Sequence, residues 1–226
     1  MRTQYKSPKR RSGVAIVEFS LALIVLVPLL LGTLVFGFRL IRSLQMEQIV
    51  RDLGHMYLKG VDFRAANPLP NPGPTLIAQT LAQSFDLAPT GTSVIVLSKI
   101  TVVQQVDCDA GNPLKPAGTH CNNLGNPVFM EQVKVGNTSL KVNGVASAKS
   151  QYGSPPLQAD YTVSKADQAN TLSAAAGTTA GAGGFAAVII LKVGEFAYVT
   201  EMINATPDLN IPGFSGSPQV YARSVF

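Results

Sequence analysis

Catalytic side chains are scarce in this chain. It holds two histidines, His55 and His120, and two cysteines, Cys108 and Cys121, among 226 residues. Neither a G-x-S-x-G nucleophile turn nor an H-E-x-x-H zinc helix occurs. His55 falls on a helical pattern and reads as a partly exposed helix residue. Asp160, Asp167, Glu195, Glu201 and Asp208 are scattered singly, and each is expected on a solvated surface. The small-residue tract 173–184 is followed by no G-K-[ST], so it reads as a flexible loop and not as a phosphate cradle. No internal repeat is found. No enzyme activity, cofactor or resident metal is therefore expected. Acidic residues are also missing from the first seventeen positions. The formal charge of +5 comes from Arg2, Lys6, Lys9, Arg10 and Arg11, and without those five of its 18 basic residues the chain balances its 13 acids. No stripe of arginines interleaves with aromatics, so no nucleic-acid partner is expected.

What is present begins after that basic leader, 1–13. From Val14 to Phe38 the only charge is Glu18. A run of about 20 apolar residues crosses a bilayer core of roughly 30 Å, and the basic flank stays in the cytoplasm. The span 14–38 is therefore expected to leave the rest of the chain outside. A secretory signal would be cut after the run at a small-residue site. There the sequence offers Gly37, with bulky Leu34 and Phe36 where small residues are wanted. The other candidate cut, Gly13/Val14, lies ahead of the run and leaves Glu18 as the fifth residue.

The sequence Arg10-Arg11-Ser12-Gly13 followed by Val14-Ala15-Ile16-Val17-Glu18-Phe19 resembles the processing site of type IV prepilins. The Val17-Glu18-Phe19 triplet and mid-run Pro28 are similar to the TadE-like minor pilins of tight-adherence (Flp) pili. That resemblance implies cleavage by a prepilin peptidase, and partners among other pilins and the pilus assembly platform in the inner membrane. It also implies an assembly role for Glu18, meeting the amine of a neighbouring subunit. Physical chemistry sets the terms for that acid. A carboxylate at membrane depth costs about 2.5–3.5 kcal/mol on insertion scales. A Val14 amine one helical turn away, roughly 6 Å, offsets this, and the positive helix end adds about 0.3–1 kcal/mol. The competing reading is an ordinary anchor whose acid sits in the headgroup zone. Pro28 predicts a bend near mid-span, which membrane helices tolerate.

Beyond the span, Leu40, Leu44, Ile49, Val50, Leu53, Met56 and Tyr57 recur at spacings of three to five among polar residues. This predicts an amphipathic continuation over 39–60, and with the span a rod of roughly 70 Å at about 1.5 Å per residue. Gly54 weakens it by about 1 kcal/mol relative to alanine, and Gly60 is the first strong stop. A Pro-rich linker, 61–74, leads to an extracytoplasmic head, 75–226. Thr75–Leu87 reads as a short helix. Strands are expected over Thr92–Val106, Val128–Val135, Thr138–Val145, Phe185–Thr200 and Gln219–Phe226. The tracts between them, including 110–126 and 206–218, read as irregular. The expected class is α+β: a long membrane-spanning helix whose amphipathic half lies on an antiparallel sheet. That layout is similar to a pilin head. TadE-like proteins also end with a similar aromatic strand, loop and short basic-apolar strand, here Val188–Tyr198 and Val220–Phe226. The length favours a compact TadE-like or TadF-like protein over the larger TadG-like relatives.

Cys108 and Cys121 bound a loop rich in Pro and Gly. Outside the cytoplasm they are expected to form a disulfide, which stabilises by about 3 kcal/mol in the chain-entropy model. Metal ligation by Cys108, His120, Cys121 and Asp107 or Asp109 is the alternative, although adjacent His120 and Cys121 do not give the usual zinc spacing.

Overall fold

A single helix, α1 (Ser12–Leu58), leads the chain with Pro28 in its interior. The computed structural model describes residues 12–64, 74–169, 181–206 and 219–226. The leader up to residue 11, most of the Pro-rich linker, the first part of the small-residue loop and the tract 207–218 lie outside the described residues. Two units are distinguished, Met1–Ile41 and Arg42–Phe226, and each is treated by itself.

In the second unit α1 ends where the sequence signals a stop. Gly60 takes the left-handed conformation, φ +83°. The Gly60 N–H donates to the Tyr57 carbonyl and the Val61 N–H to the Met56 carbonyl, each at 3.0 Å. This paired closure satisfies carbonyls that the helix end would otherwise leave open. After α1 come α2 (Pro74–Leu81), β1 (Ser93–Val102), α3 (Gln105–Gly111), β2 (Pro127–Gly136), β3 (Lys141–Val142), β4 (Val145–Ala146), α4 (Lys165–Ala169), β5 (Phe196–Ala205) and β6 (Gln219–Val225). The main sheet has the order β2-β1-β5-β6 and is antiparallel throughout. The expected α+β architecture, a long apolar helix leading into an antiparallel sheet, is what forms.

One face of that sheet receives the outer part of α1. Met46, Val50 and Leu53 share a core with Ile95 and Leu97 of β1, Val133 of β2 and Met202 of β5. Full burial of such side chains stabilises by about 1.5–3 kcal/mol each. The amphipathic reading holds for Ile49, Val50, Leu53 and Tyr57, while Leu44 stays exposed and Met46 takes a core position instead. Gly54 also has a packing reason to lack a side chain. A Cβ there would overlap the Phe226 ring, which lies 4.5 Å from the His55 ring. On the opposite face, Val94 and Val96 meet Leu140, Ala148 and Ile203. Strand β1 is thus buried on both sides, which accounts for its nearly continuous apolar sequence.

Four local expectations are corrected. The helix at Thr75 stops at Leu81, because the Asp86 side chain accepts from the Ala88 N–H and starts a turn into β1. The strand expected to reach Val106 ends at Val102, and the irregular tract begins instead as α3, where Asp107 accepts from the Gln104 N–H at 3.1 Å. Thr138–Val145 is not one strand but the small β3–β4 hairpin, turned at Asn143 (φ +51°) and Gly144 (φ +78°). Asn-Gly is the dipeptide that such a two-residue turn favours. Phe185–Thr200 is a strand only from Phe196. Phe185 is buried in a single 3-10 turn, while Val188, Ile190 and Val193 are exposed and have no strand partner among the described residues.

Candidate functional site

The first unit is an apolar helix without a core. No side chain over residues 14–41 is buried, and Ile24 is 69% exposed. Leaving such side chains in water forfeits about 1.5–3 kcal/mol apiece. The helix is long and apolar enough to cross a membrane, which supports a single-pass anchor. Its hydroxyls are satisfied within the helix: Ser20 Oγ donates to the Ile16 carbonyl and Thr33 Oγ1 to the Leu30 carbonyl, both at 2.8 Å. Pro28 withholds the one backbone N–H that would have met the Ile24 carbonyl.

Gly13, Val14 and Glu18 fall together at the amino end of α1. The Gly13–Val14 bond lies in the first turn, which contains no acid, and exposed Glu18 follows four residues after Val14. That spacing places Val14 and Glu18 on one face, about 6 Å apart along the axis. Glu18 has no hydrogen-bond or ion-pair partner among the described residues.

Cys108 and Cys121 belong to the second unit. Helix α3 carries Cys108, and the chain returns so that the two Cα atoms stand 5.5 Å apart with the sulfurs joined. Helix α4 supports this corner: Lys165 Nζ donates to Asp107 Oδ1 at 2.7 Å, and Gly111 lies directly against Ala169 and the Lys165 carbonyl. Asp109 is occupied by the Gly118 N–H and the Gln105 amide. Among the described residues no group of three or more His, Cys, Asp or Glu side chains could hold a metal ion.

The acids expected on the surface divide. Asp160 is exposed and accepts from Thr162, Asp167 accepts from Ser164 Oγ at 2.6 Å, and exposed Glu195 accepts from the Lys192 N–H at 2.8 Å. Asp208 lies outside the described residues. Glu201 departs from expectation, because it is fully buried in the middle of β5. Its Oε1 accepts from the Gln151 N–H at 2.9 Å and from the Tyr221 hydroxyl at 2.6 Å, while Oε2 has no partner among the described residues. Burial, followed by the nearby Glu201 charge, pushes the Tyr221 phenol well above its usual range. Arg223 stands opposite Glu201 in the strand register and donates to Gln151 Oε1 and the Tyr152 hydroxyl. This network was missed because Glu201 was read alone. The available signal was its place between Val199 and Ile203 at strand periodicity, on the inward face.

A second buried hydroxyl lies under the end of α1. Tyr57 donates to Glu131 Oε1 at 3.2 Å, and Arg64 Nη2 reaches Glu131 Oε2 at 2.6 Å. Burial first, and Glu131 second, raises the Tyr57 phenol far above its usual range.

Among known proteins, no curated sequence and no solved structure matches the chain. Residues 13–54 match the model of the TadE-like protein family. The match begins at Gly13, takes in Glu18 and Pro28, and ends within the part of α1 that packs on the sheet. The amino-terminal segment of this chain is TadE-like.

Proposed function

We propose that the chain is a minor pilin or pseudopilin of a Tad/Flp-type adhesion pilus. A prepilin peptidase cuts at Gly13/Val14 with the leader in the cytoplasm. The head stands on the extracytoplasmic side of the inner membrane, where the Cys108–Cys121 disulfide persists. The observation that carries this reading is an apolar helix with no core of its own, bearing one acid, without a partner among the described residues, a single turn from the prospective amine of Val14. Packing among the apolar helices of other pilins would cover that surface. An intermolecular pair between Glu18 and a neighbour's amine would offset the roughly 2.5–3.5 kcal/mol of placing a carboxylate at membrane depth. The pilus assembly platform would extract the subunit from the bilayer. The TadE-like match over 13–54 supports this class of function.

Terminal mass spectrometry of protein isolated from its native membrane tests the cut. A mature terminus at Val14 is expected, and a retained Met1 in cells with working secretion machinery refutes the proposal. Glu18→Gln is expected to lower filament incorporation while the melting of the head is unchanged. A passive membrane-anchored binding module would keep residues 1–13 and tolerate that substitution.

A further inference from the structure

Among the described residues the sheet ends at β6 with its outer edge unpaired. Tyr198 and Phe226 exchange both of their backbone hydrogen bonds, at 2.9 Å each, which fixes the phase of the β5–β6 ladder. Hydrogen-bonded and non-hydrogen-bonded pairs alternate in an antiparallel ladder. The N–H and C=O groups of Val220, Ala222 and Ser224 therefore face β5, and those of Gln219, Tyr221, Arg223 and Val225 face outward. These outward groups meet no partner among the described residues. The opposite edge is treated differently: Val163 and Gln132 exchange bonds across it with Met130 and Tyr161, and Ala182 bonds to Pro127.

Exposed edges are usually blunted by proline, by a bulge or by several charges. Strand β6 has no proline and no register shift against β5, and Arg223 is its only charge. Beside it opens a cleft of about 700 Å³ with Gln219 and Tyr221 on one wall and the segment 145–153 on the other. Among the described residues Lys149 is the only charged one lining that cleft. Arg223 lies just behind, bonded to Gln151 and Tyr152. The nearby acid, Glu201, is buried and already accepts two hydrogen bonds.

We infer that β6 is an acceptor for a fifth strand, supplied as an extended, acid-bearing segment of a different protein. Main-chain bonds to Tyr221, Arg223 and Val225 would seat it, and alternate side chains would enter the cleft beside Lys149. A second copy of this chain is a poor occupant. A β6 strand from a second copy would bring another Arg223 and no acid to Lys149. The inference does not depend on entry into a filament.

Residue-resolved hydrogen exchange on the full chain in detergent tests it, with two probes: a short synthetic peptide of alternating valine and glutamate, and its valine–lysine counterpart. In the protein alone, the amides of 220, 222 and 224 should be protected and those of 221, 223 and 225 open. The acidic peptide should slow the open set by about tenfold or more. The basic peptide should not. Val225→Pro, which removes an outward donor only, should abolish the effect. Lys149→Glu, remote from the β5–β6 ladder, should weaken the acidic peptide even if the proline variant folds poorly. Outward amides already protected in the chain alone, rising with its concentration, would show self-pairing and overturn the inference. So would uniform slowing across the strand, or no slowing with either peptide.

Discussion

Replacing Glu201 is the sharpest test of the packing on the far face of the sheet. The carboxylate holds the segment around Gln151 against β5 through one backbone N–H, and it also takes the Tyr221 hydroxyl. Glu201→Leu keeps the volume and removes both acceptors. Tyr221 is 37% exposed and Gln151 is exposed where it lines the cleft, so both released donors can turn to water. Losing the two hydrogen bonds then costs about 1–3 kcal/mol in all, at the ordinary net value of each. Glu201→Gln keeps an acceptor at Oε1 but puts an amide NH2 where Oε2 has no partner among the described residues, so it should also destabilise, by about 1–3 kcal/mol, while leaving the Gln151 amide protected. Adding Tyr221→Phe to each background gives the coupling between the two groups, expected at about 0.5–1.5 kcal/mol with Glu201 present and near zero with leucine. Urea denaturation of the full chain in detergent, followed by circular dichroism, supplies the free energies. Exchange at the Gln151 amide reports the local bond. If Glu201→Leu is as stable as the parent and the Gln151 amide remains protected, the acid does not pin this segment and the reasoning fails.

Three other outcomes are expected. Gly111→Ala places a Cβ within 2.5 Å of both the Lys165 carbonyl and the Ala169 side chain. With little room to yield it should destabilise the head by about 1–3 kcal/mol in thermal melts. Tyr57 and Tyr221 have folded-state values raised above the ordinary 10.0. The unfolded chain thus releases these protons first, so their contribution is complete below pH 10 and is lost as pH rises beyond it. Absorbance of tyrosinate should show both phenols resisting ionisation until the head unfolds. Reduction of the Cys108–Cys121 bridge, sequence separation 13, should lower stability by about 3 kcal/mol, measured by denaturation with and without reductant.

What could be read from residues alone follows from how local each signal is. The anchor is legible because a bilayer imposes one composition on some twenty consecutive positions. The α1 stop at Gly60 is legible because a left-handed backbone selects glycine, whereas the same kind of signal at Asn143–Gly144 does not surface in a reading of 138–145 as one strand. Helix α3 carries no apolar period and is held by a side-chain cap and by Lys165, a residue distant in sequence, so nothing local announces it. The run 188–193 has strand-forming residues, but pairing decides, and no strand lies beside it among the described residues. Glu201 was misplaced for a similar reason: its solvation is replaced by Gln151 and Tyr221, which approach from fifty and twenty positions away. Short-range pattern finds helices, turns and spans, while partners brought in by topology stay hidden.

The order of strands in the main sheet also governs how the head is made. Strand β1 sits between β2, which follows closely, and β5, whose Asn204 pairs with Ser93 across a separation of 111 residues. Its apolar flanks and one of its two ladders must wait while that intervening length is synthesised. Folds dominated by such distant pairings close slowly and expose sticky intermediates meanwhile. A half-built sheet with open apolar faces is thus a stage the chain passes through, and the interval before β5 arrives is when a holdase would have something to hold.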